Sequence, residues 1–187
     1  KDLGKNFSLL WAAQAVSLVG SEISAVAIPL FAIGMLGFDA VELGTLLALQ
    51  GIPPVLFGVF AGVWVDRVSQ RRLLLASDVL RAVLVAFIPL LYWADSLSTA
   101  ALFLCTFLIA SVTVFSDIAY WSFSPRIVPD QQLLAGNSRL SMSQSIATTG
   151  GPGMAGAIAS FIGPTMALVV DAISYLVSFA LTKGVSV

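Results

Sequence analysis

Apolar residues fall in six long blocks, and the polar positions gather between them. The blocks cover residues 8–36, 41–65, 72–93, 97–122, 134–162 and 164–182. Each is long enough to cross a bilayer as a helix, which takes about 20 apolar residues. Strands of a membrane barrel would instead show ~10-residue segments of alternating character. The first block is too long for a signal peptide and has no clear cleavage site. The connections at 37–40, 66–71, 94–96, 123–133 and 163 are short, and no linker divides the chain. Short connections make neighbouring helices antiparallel. The pattern predicts one bundle of six transmembrane helices, an all-α integral membrane fold.

Composition narrows the class further. Of 187 residues, 58% are hydrophobic and 10% charged, with a mean hydropathy of +0.98. A water-facing domain carries roughly 25% charged residues, so this chain has too few to cover a soluble surface. A disordered chain would need low hydrophobicity. The net charge of −1 gives no basic footprint for nucleic acid. With no His and a single Cys there is no set of zinc or copper ligands, and Cys105 reads as a small buried hydrophobe.

Lys and Arg sort the connections. Lys1, Lys5, Arg67, Arg71, Arg72, Arg126 and Lys183 fall on one side, and only Asp39, Glu42 and Asp95 on the other. This one-sided pattern places both termini in the cytoplasm. The chain begins at Lys1 and stops just after an apolar block at Val187, so a longer parent protein is expected.

A faint repeat runs through the sequence. Pro54 and Gly58 in the second block match Pro152 and Gly156 in the fifth, and Asp78-Val79-Leu80 matches Asp171-Ala172-Ile173. Helices 1–3 and 4–6 would have opposite orientation, giving a 3+3 inverted repeat of the kind built into transporter halves.

Two motifs carry mechanism. Between the second and third blocks stands Gly62-Val-Trp-Val-Asp66-Arg67-Val-Ser69-Gln70-Arg71-Arg72. As a cytoplasmic turn with one acid and three bases it serves as a positive-inside anchor. The fifth block carries Gly150-Gly151-Pro152-Gly153-Met-Ala155-Gly156, where small residues allow close helix approach and proline bends the span.

The first motif resembles the signature loop of the major facilitator superfamily, G-x-x-x-D-R-x-G-R-R. Ser69 stands in place of the usual Gly and Gln70 in place of a usual base. The second resembles the G-P-x-x-G-G motif of that superfamily's antiporter branches. Ala155 takes one Gly position, and Ser138 and Ala147 take the upstream ones. Residues 11–20, 125–129 and 133–137 are similar to the first helix and the fourth-to-fifth loop of macrolide-efflux and siderophore-exporter-like members. The resemblance covers essentially the whole chain and the first six of an expected twelve helices. It implies that Gly62, Asp66, Arg67, Arg71 and Arg72 form a cytoplasmic gating loop that latches the two halves of a transporter. It implies that Gly151, Pro152, Ala155 and Gly156 form the antiporter-type helix. It also implies a central cavity lined by helices 1 and 4, with helices 3 and 6 peripheral.

Charges within a span are expensive and mark function or pairing. Six fall away from the block ends: Glu22, Asp78, Arg81, Asp117, Arg139 and Asp171. Glu22 stands at the middle of helix 1 with no base near it in sequence, so it can carry a proton or meet a cationic substrate. Asp78 and Arg81, three apart, read as a structural ion pair. Asp117 and Arg139 each lie roughly 9 Å deep from the cytoplasmic ends of their helices. Asp78 lies at a similar depth, and the three are candidates for one cytoplasmic-side cluster. Asp171 reads as structural. Glu22, Asp117 and Arg139 are the coupling candidates. Tyr92, Trp93, Tyr120, Trp121 and Trp11 fit interfacial belts.

Residues 1–187 are thus expected to form the N-terminal six-helix bundle of a secondary active transporter of the bacterial inner membrane, its C-terminal half absent from this chain. The expected activity is proton-coupled efflux of a small amphipathic molecule, a drug or siderophore, by alternating access. No cofactor is expected beyond the proton gradient. The expected partners are the substrate, the lipid bilayer and the missing half, with no nucleic acid. The alternatives are a proton-coupled nutrient uptake carrier and a non-transporting membrane scaffold. An enzyme is disfavoured, because no nucleophile–base pair, metal cluster or phosphate-binding glycine loop is present.

Overall fold

The computed structural model describes residues 4–128 and 133–185. Lys1, Asp2, Pro129 and Asp130 lie outside the described residues. Six helices follow one another: α1 (Lys5–Leu36), α2 (Ala40–Val65), α3 (Gln70–Trp93), α4 (Thr99–Ile127), α5 (Leu133–Ile162) and α6 (Pro164–Lys183). They occupy the six apolar blocks. Five are long and apolar enough to cross a membrane. The exception, α5, is as long as its neighbours, but Gln144, Thr148, Thr149 and a run of serines dilute its apolar character.

The turns follow local chemistry. Gly37 ends α1 at φ 69°, the left-handed region that glycine enters without steric cost. Asp39 and Glu42 form a reciprocal capping box at the start of α2. The Asp39 carboxylate accepts from the Glu42 backbone N–H at 2.8 Å, and Glu42 accepts from the Asp39 N–H at 3.1 Å. Two of the three acids in the acidic turns therefore have a structural task. The Ser98 hydroxyl caps α4. Helix α4 runs five residues past the apolar block that ends at Ser122, since Phe123 and Ser124 remain buried. Hydropathy marks the span, whereas the helix continues for as long as it has a surface to pack on.

Packing puts α6 at the centre of one side, against α1 and α3. Helix α4 packs on α2 and α3, and α5 on α1. Two apolar clusters form. The first joins Phe31, Leu46, Val85, Ile88, Leu102 and Leu168 towards the acidic turns. The second joins Phe7, Leu10, Val65, Leu74, Tyr120 and Phe123 towards the basic turns. Between them lies a layer of buried polar residues contributed by α1, α3, α4 and α6. Helix α2 turns an apolar face outward, with Val55 82% and Val59 80% exposed.

Candidate functional site

The polar layer starts from spacing. On α6, Asp171, Ser174, Tyr175 and Ser178 recur at three- and four-residue steps, so they share one face. On α3, Asp78 and Arg81 are one turn apart and form an ion pair at 2.7 Å. The same guanidinium nitrogen donates to the Ser116 hydroxyl of α4 at 3.0 Å. The guanidinium lies 4.3 Å from the centre of the Tyr175 ring, a cation–π contact. The Ser178 hydroxyl donates to the other Asp78 oxygen at 2.8 Å. The Tyr175 hydroxyl meets Ser21 of α1 at 2.9 Å. Asp171, 0% exposed, accepts from Ser24 of α1 and, at 3.1 Å, from Ser174.

A cavity of about 220 Å³ opens beside this layer, between α1, α2, α4 and α6. Ser21, Ser24, Gln50, Thr106, Asp117 and Tyr175 supply its polar wall, and Ile28, Pro54 and Val114 part of its apolar wall. An apolar pocket with a few convergent polar groups is the usual form of a small-molecule site. Asp117 is thus at the cavity surface, next in the chain to Ser116, which Arg81 bonds.

Glu22 sits elsewhere, on the α1–α5 seam. It packs on Gly151, where an added Cβ would lie 2.6 Å from its Cγ and 2.8 Å from its Cβ. The missing side chain at Gly151 is what lets an acid lie flat on α5. Ala155 is fully buried in the apolar core. Gly156 has open space around it, and Pro152 is exposed within an unbroken helix.

The loop of Gly62, Asp66, Arg67, Arg71 and Arg72 joins α2 to α3 as a tight turn. The Asp66 N–H bonds back to the Gly62 carbonyl, and Ser69 starts α3 in an extended conformation. Asp66, Arg67 and Arg72 are exposed. Arg71 donates to the carbonyl of Lys183 at the end of α6, at 2.8 Å. Gln70, in the place of a base, is buried. Its amide donates to the Val65 carbonyl at 3.3 Å, and its oxygen accepts from Arg126 at 3.1 Å. An uncharged side chain thus ties α2, α3 and α4 together.

The expected grouping of Asp78, Asp117 and Arg139 is not assembled. Arg139 is exposed on α5, which packs on α1 and α6, and the base that serves Asp78 is Arg81. Equal depth along two helices does not fix which way each residue faces. Sequence reading missed Ser24, Ser116, Ser174, Tyr175 and Ser178 as partners of the charges. The polar stripe at 171, 174, 175 and 178 was the available signal.

Comparison with known proteins points to one family. The model of the Major Facilitator Superfamily matches residues 10–184. Macrolide efflux protein A of Streptococcus pyogenes is 28% identical over 127 residues, covering 68% of this chain and 31% of that protein. The uncharacterized MFS-type transporter YvqJ of Bacillus subtilis is 26% identical over 176 residues, covering 93% of this chain and 41% of that protein. The chain therefore spans about a third to two fifths of the relatives it matches. No solved structure matches it at a significant level.

Proposed function

This chain belongs to the Major Facilitator Superfamily, and from that premise we propose that it is the N-terminal six-helix half of a proton-coupled exporter of small amphipathic molecules. The observation that carries the reading is the cavity of about 220 Å³. It mixes an apolar wall with hydroxyls, an amide and the Asp117 carboxyl, beside the buried polar layer. Such a lining suits a ligand with one greasy and one hydrogen-bonding side. The second half of the transporter closes the site, and the two halves rock around it. Export is the direction favoured by the relative named as a macrolide efflux protein and by the antiporter-like segment at Gly151.

Both termini face the cytoplasm of a bacterial inner membrane in this reading, and the energy source is the proton gradient. A 3+3 inverted repeat is supported by the helix pairing. Exchanging helices 1–3 with 4–6 turns the α1–α6 contact into α4–α3 and the α2–α4 contact into α5–α1, and all four occur. Glu22, Asp117 and Arg139 remain the coupling candidates, and the loop at Asp66 the gate.

The test uses the full coding sequence that contains this chain, expressed in cells and converted to inside-out vesicles. Acidifying the vesicle interior is expected to drive uptake of a macrolide or a lipophilic dye into them, and a protonophore to abolish it. Accumulation indifferent to the protonophore would sink proton coupling. Accumulation only in right-side-out vesicles would replace export by uptake.

A further inference from the structure

The polar layer has an imbalance of charge. Among the described residues, three carboxyls from three helices gather around Arg81: Asp78 of α3 by ion pair, Asp117 of α4 as the chain neighbour of Ser116, which the guanidinium bonds, and Asp171 of α6, one turn from Tyr175, whose ring the guanidinium covers. Both ends of the ion pair are 3% exposed and Asp171 is 0% exposed. Helix α5 brings no further cation, because its one charged residue, Arg139, is exposed. From α1 the facing groups are Ser21 and Ser24, while Glu22 lies on α5.

A buried carboxylate that lacks an opposite charge is far more costly than a neutral acid that lends its proton to a hydrogen bond. Arg81 neutralises one carboxylate, which is Asp78 by contact. Two further carboxyls would then remain, Asp171 fully buried and Asp117 half-buried at the cavity wall. Two buried groups are also left with unused hydrogen-bonding capacity: the Nε of Arg81 and the hydroxyl of Thr106 on the cavity wall.

We propose that Asp78, Asp117, Asp171 and Arg81 form one buried proton-binding site, in which one guanidinium serves three carboxyls and at least one carboxyl is neutral. Asp117 opens the site to the cavity. A proton arriving there adds to a carboxylate oxygen of Asp117 and leaves by the same oxygen. Ser24 and Tyr175 join the two regions, since both line the cavity while Ser24 donates to Asp171 and Tyr175 stacks under Arg81. Removing a proton from the site obliges the guanidinium to divide itself among more negative charge, which alters the contacts that hold α3, α4 and α6 together.

This site deepens the coupling half of the export reading and rests on it for its purpose, yet its protons can be counted without transport. The probe is infrared absorption of the protonated carboxyl C=O, recorded on the full-length protein in liposomes at neutral pH. A Glu22→Gln background removes the seam acid from the signal. Asp171→Asn or Asp117→Asn is expected to remove a carboxyl band. Asp78→Asn is expected to weaken the band too, although it deletes an ionised group, because it frees Arg81 to stabilise a second carboxylate. Arg81→Lys keeps one cation in place, so it is expected to preserve the band and serves as the control for folding. The inference is overturned if the band survives both Asp117→Asn and Asp171→Asn undiminished, or if Asp78→Asn leaves it unchanged. Export that persists with no such band sinks this site alone. A band that behaves as expected in a protein that exports nothing sinks the export reading alone.

Discussion

The α3–α6 seam and the α1–α5 seam solve the same problem in opposite ways. Each must hold a carboxyl between apolar helices, Asp78 buried and Glu22 half-buried. On the first, Asp78 is surrounded by Arg81 and Ser178, and the guanidinium is held in turn by Ser116 and the Tyr175 ring. On the second, Glu22 rests on the bare backbone of Gly151, and among the described residues no side chain bonds to its carboxyl. The first carboxyl is fixed by bonds and the second by shape. A bonded acid holds neighbouring helices in register. An acid held only by shape is free to gain a bond when a partner arrives.

The largest blow to this comparison falls on the bonded seam. Arg81→Met strips Asp78 of its counter-charge and is expected to cost about 3–5 kcal/mol, read as a drop in unfolding midpoint in detergent. Adding Asp78→Leu removes the stranded charge and is expected to restore most of that loss. A double variant as unstable as the single one would mean that the ion pair is not what holds the seam.

The shape-held seam breaks differently. Gly151→Ala drives a methyl into Glu22 and is expected to cost about 1–3 kcal/mol by overpacking. The same change in a Glu22→Ala background should be nearly free, and a double-mutant cycle measures the coupling. Additive costs would show that the two residues do not press on each other.

The loop tests both seams from outside. Gln70→Ala deletes the side-chain bonds to Arg126 and to the Val65 carbonyl, which keeps the Val68 N–H, at about 0.5–1.5 kcal/mol of stability. Gly62→Ala meets open space within this half, so stability should move by less than about 0.5 kcal/mol. If Gly62 serves a latch between halves, transport should nevertheless fall. Unchanged transport would remove Gly62 from the gate.

Much of this was legible from the order of residues. The six helices follow from block length, and the Asp78–Arg81 pair from a three-residue step on one helix. The Asp39 cap went unread, although a short acid with Glu three places on precedes an apolar run there. Partners on different helices were harder. Ser116 and Ser178 meet Asp78 and Arg81 only because α4 and α6 pack beside α3, and no spacing along the chain encodes that. Arg139 makes the same point in reverse: its depth was readable, and its facing was not. Gln70 looked like a loss of charge, yet its amide donates and accepts in one place, which a lysine or arginine cannot do.

The bond from Arg71 to the Lys183 carbonyl has a mechanical consequence. It clips the turn after the second helix to the tail of the sixth, two points 112 positions apart in the chain. A tug on the tail of α6 is therefore felt at the α2–α3 turn without crossing the bundle. The clip works in both directions, so anything that grips the turn also sets the angle at which the chain leaves α6. The rim on the side of the basic turns is in this sense a drawstring, drawn by one guanidinium on one carbonyl.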